Sequence, residues 1–287
     1  MNNNKLICKK IFVVIMTAVI IIAGIGIQGI EAAAFTNSYG VLLGVTRDKI
    51  SKLSNYKTII IDASEYKASD IKKLKKAGHT VYSYLNIGSV ETYRSYYKKF
   101  KKHTLGSYDN WPDEYWMDVS YTTWQKYIVN TQAKSIYKKG IDGFFIDNCD
   151  VYYNFKKNKI YNGLLNILKN LRKSYGLPVI VNGGDTFVTK VLKSGNSYKG
   201  KKIINAVNQE CVYSSIKDYT KNVFGTASKS SRNYFISYLK SCKKKGLSVY
   251  LTEYTKDAKL KKSIASFCKK MGYKYYISST VGLTGDK

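Results

Sequence analysis

The run Gly140-Ile-Asp-Gly-Phe-Phe-Ile-Asp-Asn-Cys-Asp150 ends a short apolar and aromatic stretch in a burst of carboxylates and an amide. A second run, Ile203-Ile-Asn-Ala-Val-Asn-Gln-Glu210, repeats the design with a glutamate at its end. Apolar runs of this length read as buried strands, and a strand ending in acids presents them at its carboxyl end. Brought to one pocket, Asp147 and Glu210 form the kind of carboxylate pair that cleaves glycosidic bonds. One acid is protonated to release the leaving oxygen, and the other is ionised to attack or stabilise an oxocarbenium-like centre. Carboxyls about 5 to 5.5 Å apart give retention and about 6.5 to 9.5 Å give inversion; the residues alone leave both open.

Positioning such acids requires regular elements. Apolar, β-branched and aromatic runs predict strands at Thr58–Asp62, Thr80–Asn86, Tyr115–Asp118, Gly143–Asp147, Val179–Asn182, Ile203–Glu210, Ser248–Glu253 and Lys274–Ser278. Helical patterns fill most gaps, at Ser69–Ala77, Thr122–Lys139, Asn158–Tyr175, Arg232–Lys245 and Asp257–Met271. Alternating strand and helix implies an α/β protein with a parallel sheet, and eight units in about 250 residues match a single-domain (β/α)8 TIM barrel. An open doubly wound sheet is the rival, but Asp62-Ala-Ser-Glu-Tyr66 is no glycine-rich phosphate loop.

In the barrel Asp62, Asn86, Asp118, Asp147, Asn182, Glu210 and Glu253 ring the mouth where active sites of this fold assemble. For Asp62 and Asp118, capping the following helix is an equal alternative. Alternation points Gly143, Phe145 and Asp147 to the axis, while Asp142 falls at the opposite end. Asn148 and Asp150 follow in the loop; Asn148, Asn182 or Arg94 could hold one acid ionised while burial raises the other. Among the abundant tyrosines, Tyr84, Tyr213 and Tyr254 are candidate sugar-stacking faces. No metal site is expected: Asp147–Asp150 lacks the spaced oxygens of a calcium loop, and only His79 and His103 occur. No cofactor is implied.

Here a resemblance enters. Gly140–Asp150 resembles the G-x-D-G-x-x-L-D-x-x-D segment of family 114 glycoside hydrolases, the endo-α-1,4-polygalactosaminidases. Tyr84-Leu-Asn-Ile-Gly88 with Glu91 and Arg94 is similar to that family's Y-L-S-x-G-x-x-E-x-x-R stretch. Tyr115-Trp-Met-Asp118, Val181-Asn-Gly183 and Gln209-Glu210 complete an ordered series from Thr58 to Tyr254. The resemblance implies a barrel hydrolase of an α-1,4-linked galactosamine or N-acetylgalactosamine polysaccharide, with Asp147 as nucleophile, Glu210 as acid/base, and retention. Departures are Asn86 in place of the usual serine, Ser89 where glutamate is frequent, and the glycine-rich Asn182-Gly-Gly-Asp185.

Residues 1–34 read as a secretory signal, with Lys5, Lys9 and Lys10, an apolar run from Ile11 to Ile27, and Ala32-Ala33-Ala34. An uncleaved membrane anchor is the alternative. Residues 35–287 then form the catalytic domain, expected outside the cell, in association with the wall and without stable membrane insertion. The chain carries a formal charge of +29. Setting aside Lys5, Lys9, Lys10 and Glu31 leaves 45 basic against 18 acidic residues, or +27. That field favours an anionic wall polymer as a second partner, against the plain reading of solubilising lysines on helix faces. Specific nucleic-acid binding has no motif behind it. A non-catalytic, wall-associated glycan-binding protein is the competing functional reading. A field of that sign should also repel a cationic, deacetylated polymer at long range, unless the acid-rich mouth acts locally or the substrate is largely acetylated or anionic. Cys149, Cys211, Cys242 and Cys268 allow three pairings, with buried free thiols the preferred state.

Overall fold

The computed structural model describes residues 35–286, so the signal segment read above lies outside the described residues. Eight parallel strands run Asn37–Val41, Tyr56–Ile61, Thr80–Asn86, Gly143–Asp147, Val179–Asn182, Ala206–Glu210, Ser248–Tyr254 and Lys274–Ser278, each pairing with the next in that order. The last strand lies against the first, giving a nearly closed barrel with helices outside. Among the described residues, no helix is long and apolar enough to cross a membrane.

The expected fold is present, but two strands differ. Tyr115–Asp118 is not a barrel strand: Trp111–Met117 is the centre of a three-stranded antiparallel sheet with Ser89–Glu91 and Thr104–Tyr108. This sheet occupies the connection between the third and fourth barrel strands. Period and residue type identify a strand there, but say nothing of which sheet it joins. The true first strand, Asn37-Ser-Tyr-Gly-Val41, is built partly from residues depleted in strands and escapes pattern reading. The eight predicted strands therefore match the barrel in number because one omission and one misassignment cancel.

The outer helices follow from amphipathic spacing and punctuation. Asn158–Tyr175 buries Ile160, Leu164, Ile167, Leu168 and Leu171, a stripe at helical spacing. At about 2 kcal/mol per buried aliphatic side chain, that face is worth roughly 10 kcal/mol against the conformational entropy of ordering the helix. Gly176, at φ 68°, ends it, and Pro178 prevents its resumption. Asp257 caps Ala258–Met271 by accepting from the Leu260 N–H at 2.6 Å. A π-helical turn, Ile128–Ala133, interrupts the helix predicted from Thr122 to Lys139, splitting it into Thr122–Tyr127 and Lys134–Tyr137. Cys149, Cys211, Cys242 and Cys268 are free thiols, all buried except the half-buried Cys211.

Candidate active site

A cleft of about 720 Å³ opens at the carboxyl ends of the barrel strands. The fourth strand brings Asp147 to its floor, the fifth Asn182 and the sixth Glu210. The Asn182 side-chain amide donates from Nδ2 to Asp147 Oδ1 at 2.9 Å and to Glu210 Oε1 at 2.8 Å. Spread at the roughly 120° of a planar NH₂ group, those two bonds put the accepting oxygens about 5 Å apart.

Asn182 is itself held from below. Asn208 Nδ2 donates to Asn182 Oδ1 at 2.7 Å, while Asn208 Oδ1 accepts from the Tyr39 hydroxyl and from Thr252 Oγ1, each at 3.1 Å. The chain of bonds crosses the barrel interior and fixes which way the Asn182 amide faces, because a flip would turn its oxygen toward two carboxylates. Glu210 also accepts from the Tyr254 hydroxyl at Oε2, 2.6 Å away. Asp147 receives one side-chain hydrogen bond, at Oδ1, among the described residues.

Burial pushes the Asp147 carboxyl up to about 7; the charge of Glu210 adds to this and the Asn182 amide opposes it. Asp150 is likewise lifted to about 6 by burial, against the Gly184 N–H, which donates to both of its oxygens at 3.1 Å. That contact explains the paired glycines. Gly183 and Gly184 both adopt left-handed backbone, at φ 60° and 61°. A Cβ on Gly183 would lie 2.7 Å from Asp150 Oδ2, and one on Gly184 would lie 2.6 Å from Cys149 Cβ.

Asn148 is also left-handed, at φ 64°, a conformation asparagine tolerates better than most residues. Its amide donates to Ser89 Oγ at 2.6 Å and to Glu114 Oε1 at 2.8 Å, and its oxygen accepts from the Tyr108 hydroxyl at 3.2 Å. Gly88 permits this approach, since a Cβ there would strike the Asn148 carbonyl. Arg94 spans Asp62 Oδ2 at 3.2 Å and Glu91 Oε1 at 3.4 Å. Burial acts to lower the Arg94 pKa, but Glu91 and Asp62 more than offset it and hold the guanidinium charged.

Of the residues expected at the mouth, Asp62, Tyr84, Glu91, Arg94, Asp147, Asn148, Asp150, Asn182, Glu210 and Tyr254 line the cleft. Asp62 combines both of its alternatives: Oδ1 accepts from the Ser64 N–H at 3.0 Å while Oδ2 faces Arg94. Four others do not reach the cleft. Asn86 is buried beside it and donates to Ser89 Oγ at 2.7 Å and Glu114 Oε1 at 3.0 Å. Glu253 is fully buried and accepts from the Tyr213 and Ser214 N–H groups and from Ser214 Oγ, so it shapes the loop after the sixth strand. Tyr213 packs its ring against Phe267 and Arg232. Asp118 accepts from the Ser120 N–H at 3.0 Å and from Lys159 at 2.7 Å, outside the cleft lining. The final residues of a strand alternate between cavity and surroundings, so a strand-end position alone does not give a cleft residue.

The sequence gives no sign of Glu114 or Tyr219, and Trp111, one of many aromatics near predicted strand ends and loops, is passed over there in favour of Tyr84, Tyr213 and Tyr254. Glu114 accepts from Asn86, Ser89 and Asn148, and burial raises its pKa. Trp111 meets Tyr219 edge-on, ring centroids 5.8 Å apart, joining the inserted sheet to the hairpin Ser214–Asp218/Val223–Thr226 at the cleft. The available signal was a tryptophan in the turn sequence Asn110-Trp111-Pro112. The complete lining holds seven carboxylates, one arginine and no lysine. No cluster of three or more metal-ligating side chains occurs among the described residues.

Comparison with known proteins bears on the fold and the family. The glycoside hydrolase domain of PelA from Pseudomonas aeruginosa superposes with a TM-score of 0.72 at 18% identity, covering 86% of this chain and 96% of that domain. Ega3 from Aspergillus fumigatus, solved in complex with galactosamine, gives a TM-score of 0.68 at 18% identity, over 87% and 93%. An uncharacterized protein of Thermotoga maritima is 30% identical over 96 residues, 32% of this chain and 29% of that protein. Another, from Methanocaldococcus jannaschii, is 31% identical over 117 residues, 37% and 34%. The aligned stretches thus span about a third of these curated relatives. The family model of glycoside hydrolase family GH114 matches residues 32–282, nearly the whole described barrel, and the chain belongs to that family.

Proposed function

We infer that this protein is an endo-acting glycoside hydrolase of an α-1,4-linked polysaccharide containing galactosamine or N-acetylgalactosamine, and that it works with retention. The observation that carries this reading is the placement of Asp147 and Glu210 on one amide nitrogen, at 2.9 Å and 2.8 Å, in a cleft of the GH114 barrel. A spread of roughly 5 Å between the two accepting oxygens, as an ideal planar amide gives, supports direct carboxylate attack over activation of an intervening water.

In this reading Glu210 protonates the leaving oxygen as Asp147 attacks the anomeric carbon. Glu210 then takes a proton from the water that releases the glycosyl group from Asp147. With Asp147 held up to about 7, the site keeps a proton just below neutrality. Rate depends on the pair holding that single proton, whichever carboxyl bears it before substrate arrives. The acid-rich, lysine-free lining supports a cationic amino sugar as substrate despite the basic exterior. The amino-terminal pattern supports secretion.

Reducing-end release from purified polygalactosamine and its acetylated form tests the assignment. Asp147→Asn and Glu210→Gln should each lower kcat by roughly a thousandfold or more. Azide should restore turnover to Asp147→Gly with inverted product, as expected of a lost nucleophile. Tight glycan binding with no turnover by the unaltered protein would instead establish a binding module, and wild-type rates in either amide variant would overturn the pair.

A further inference from the structure

The distribution of lysine is not uniform around the barrel. Chain segments that enter the fifth to eighth strands lie at the face opposite the cleft. Residues 173–178, 199–205, 243–247 and 269–274 there contain ten lysines and no acid, and all ten lysines are exposed. The four strands are consecutive in the barrel, so these segments form one continuous arc. Lys202 Nζ donates to the Gly246 carbonyl at 2.7 Å, joining two of them directly. No lysine of the arc lies within ion-pair distance of a carboxylate among the described residues.

Acids in the same half of the chain are placed oppositely. Asp185 and Asp257 begin helices that leave strand carboxyl ends, Glu210 and Glu253 lie on those ends, Asp218 lies in the hairpin beyond the sixth strand, and Asp286 follows the last strand. Helix dipoles favour one or two cations in a last turn. They do not account for Lys199, Lys201 and Lys202, which follow a helix and a turn, or for Lys274, which begins a strand.

We propose that this arc is a docking surface for a linear polyanion with repeating phosphate charges, which would hold the enzyme with its acid-lined cleft facing away from the support. A bilayer fits the arc less well, because none of the large exposed hydrophobic side chains lies in its four segments to anchor it in lipid. The inference is independent of which glycan the cleft accepts.

The test measures binding of the protein to long-chain inorganic polyphosphate as salt is raised. In one variant Lys173, Lys201, Lys244 and Lys270, one from each segment, are changed to Glu. A second carries the same charge change at the cleft side, at Lys156, Lys157, Lys256 and Lys259. The arc variant should lose affinity by roughly tenfold or more and show a weaker salt dependence, while the cleft-side variant loses about twofold or less. Circular dichroism and hydrolysis of a soluble oligosaccharide, compared with the unaltered protein, keep folding and catalysis separate from docking. Equal losses in the two variants would reduce the effect to net charge and overturn the proposal. Binding to phosphatidylglycerol vesicles but not to polyphosphate would overturn it in favour of a membrane.

Discussion

Asn182 governs the pair more than either acid does, because its one nitrogen fixes both carboxylates and its oxygen is pinned by Asn208. Replacing it by alanine should lower kcat by roughly a hundredfold to a thousandfold, the usual cost of losing a preorganised donor. The pH profile adds a signed expectation. A carboxyl raised to about 7 is protonated below that pH, so kcat/KM should fall on the alkaline side with an apparent pKa of about 7. Since the Asn182 bond opposes the upward shift, that limb should move to higher pH in Asn182→Ala; an unmoved limb would separate the amide from the titration. Glu253 makes the contrasting case. It is buried and accepts from two backbone N–H groups and a hydroxyl, so Glu253→Ala should cost roughly 3 kcal/mol and lower Tm. Thermal melting and kcat per folded molecule, measured together, distinguish this structural role from a substrate contact.

Elements set how much of the site the sequence reveals. The acid at the end of Gly143–Asp147 was legible because a buried strand with alternating faces leaves few choices for its last residue. The inserted sheet was not, since the apolar end of Trp111–Met117, Tyr115–Met117, reads locally like a barrel strand and only tertiary pairing distinguishes them. With it went Glu114 and any reason to prefer Trp111 over the other aromatics near strand ends. Trp111→Ala should raise KM for long polymer by roughly threefold to tenfold with kcat nearly unchanged, a split that steady-state kinetics resolves. The turn after Val179–Asn182 has a different vulnerability. Gly184→Ala combines a left-handed backbone with a contact against Cys149, and should cost at least about 1–2 kcal/mol in thermal melting while loosening Asp150.

On the scale of the whole molecule, charge and fold are separate designs in one chain. A barrel bearing +27 over residues 35–287 excludes lysine from its cleft and gathers carboxylates there, so net charge gave no guide to the sign of the site. Barrel architecture was readable because strand and helix alternate with regular spacing, and residues as far apart as Tyr39 and Thr252 meet only once the barrel closes. That closure is what brings the fourth, fifth and sixth strand ends into one pocket. The most direct test is proton NMR of the first product released from the α-linked polymer: the α anomer should form first and then mutarotate, whereas the β anomer formed first would contradict attack by a carboxylate of this pair.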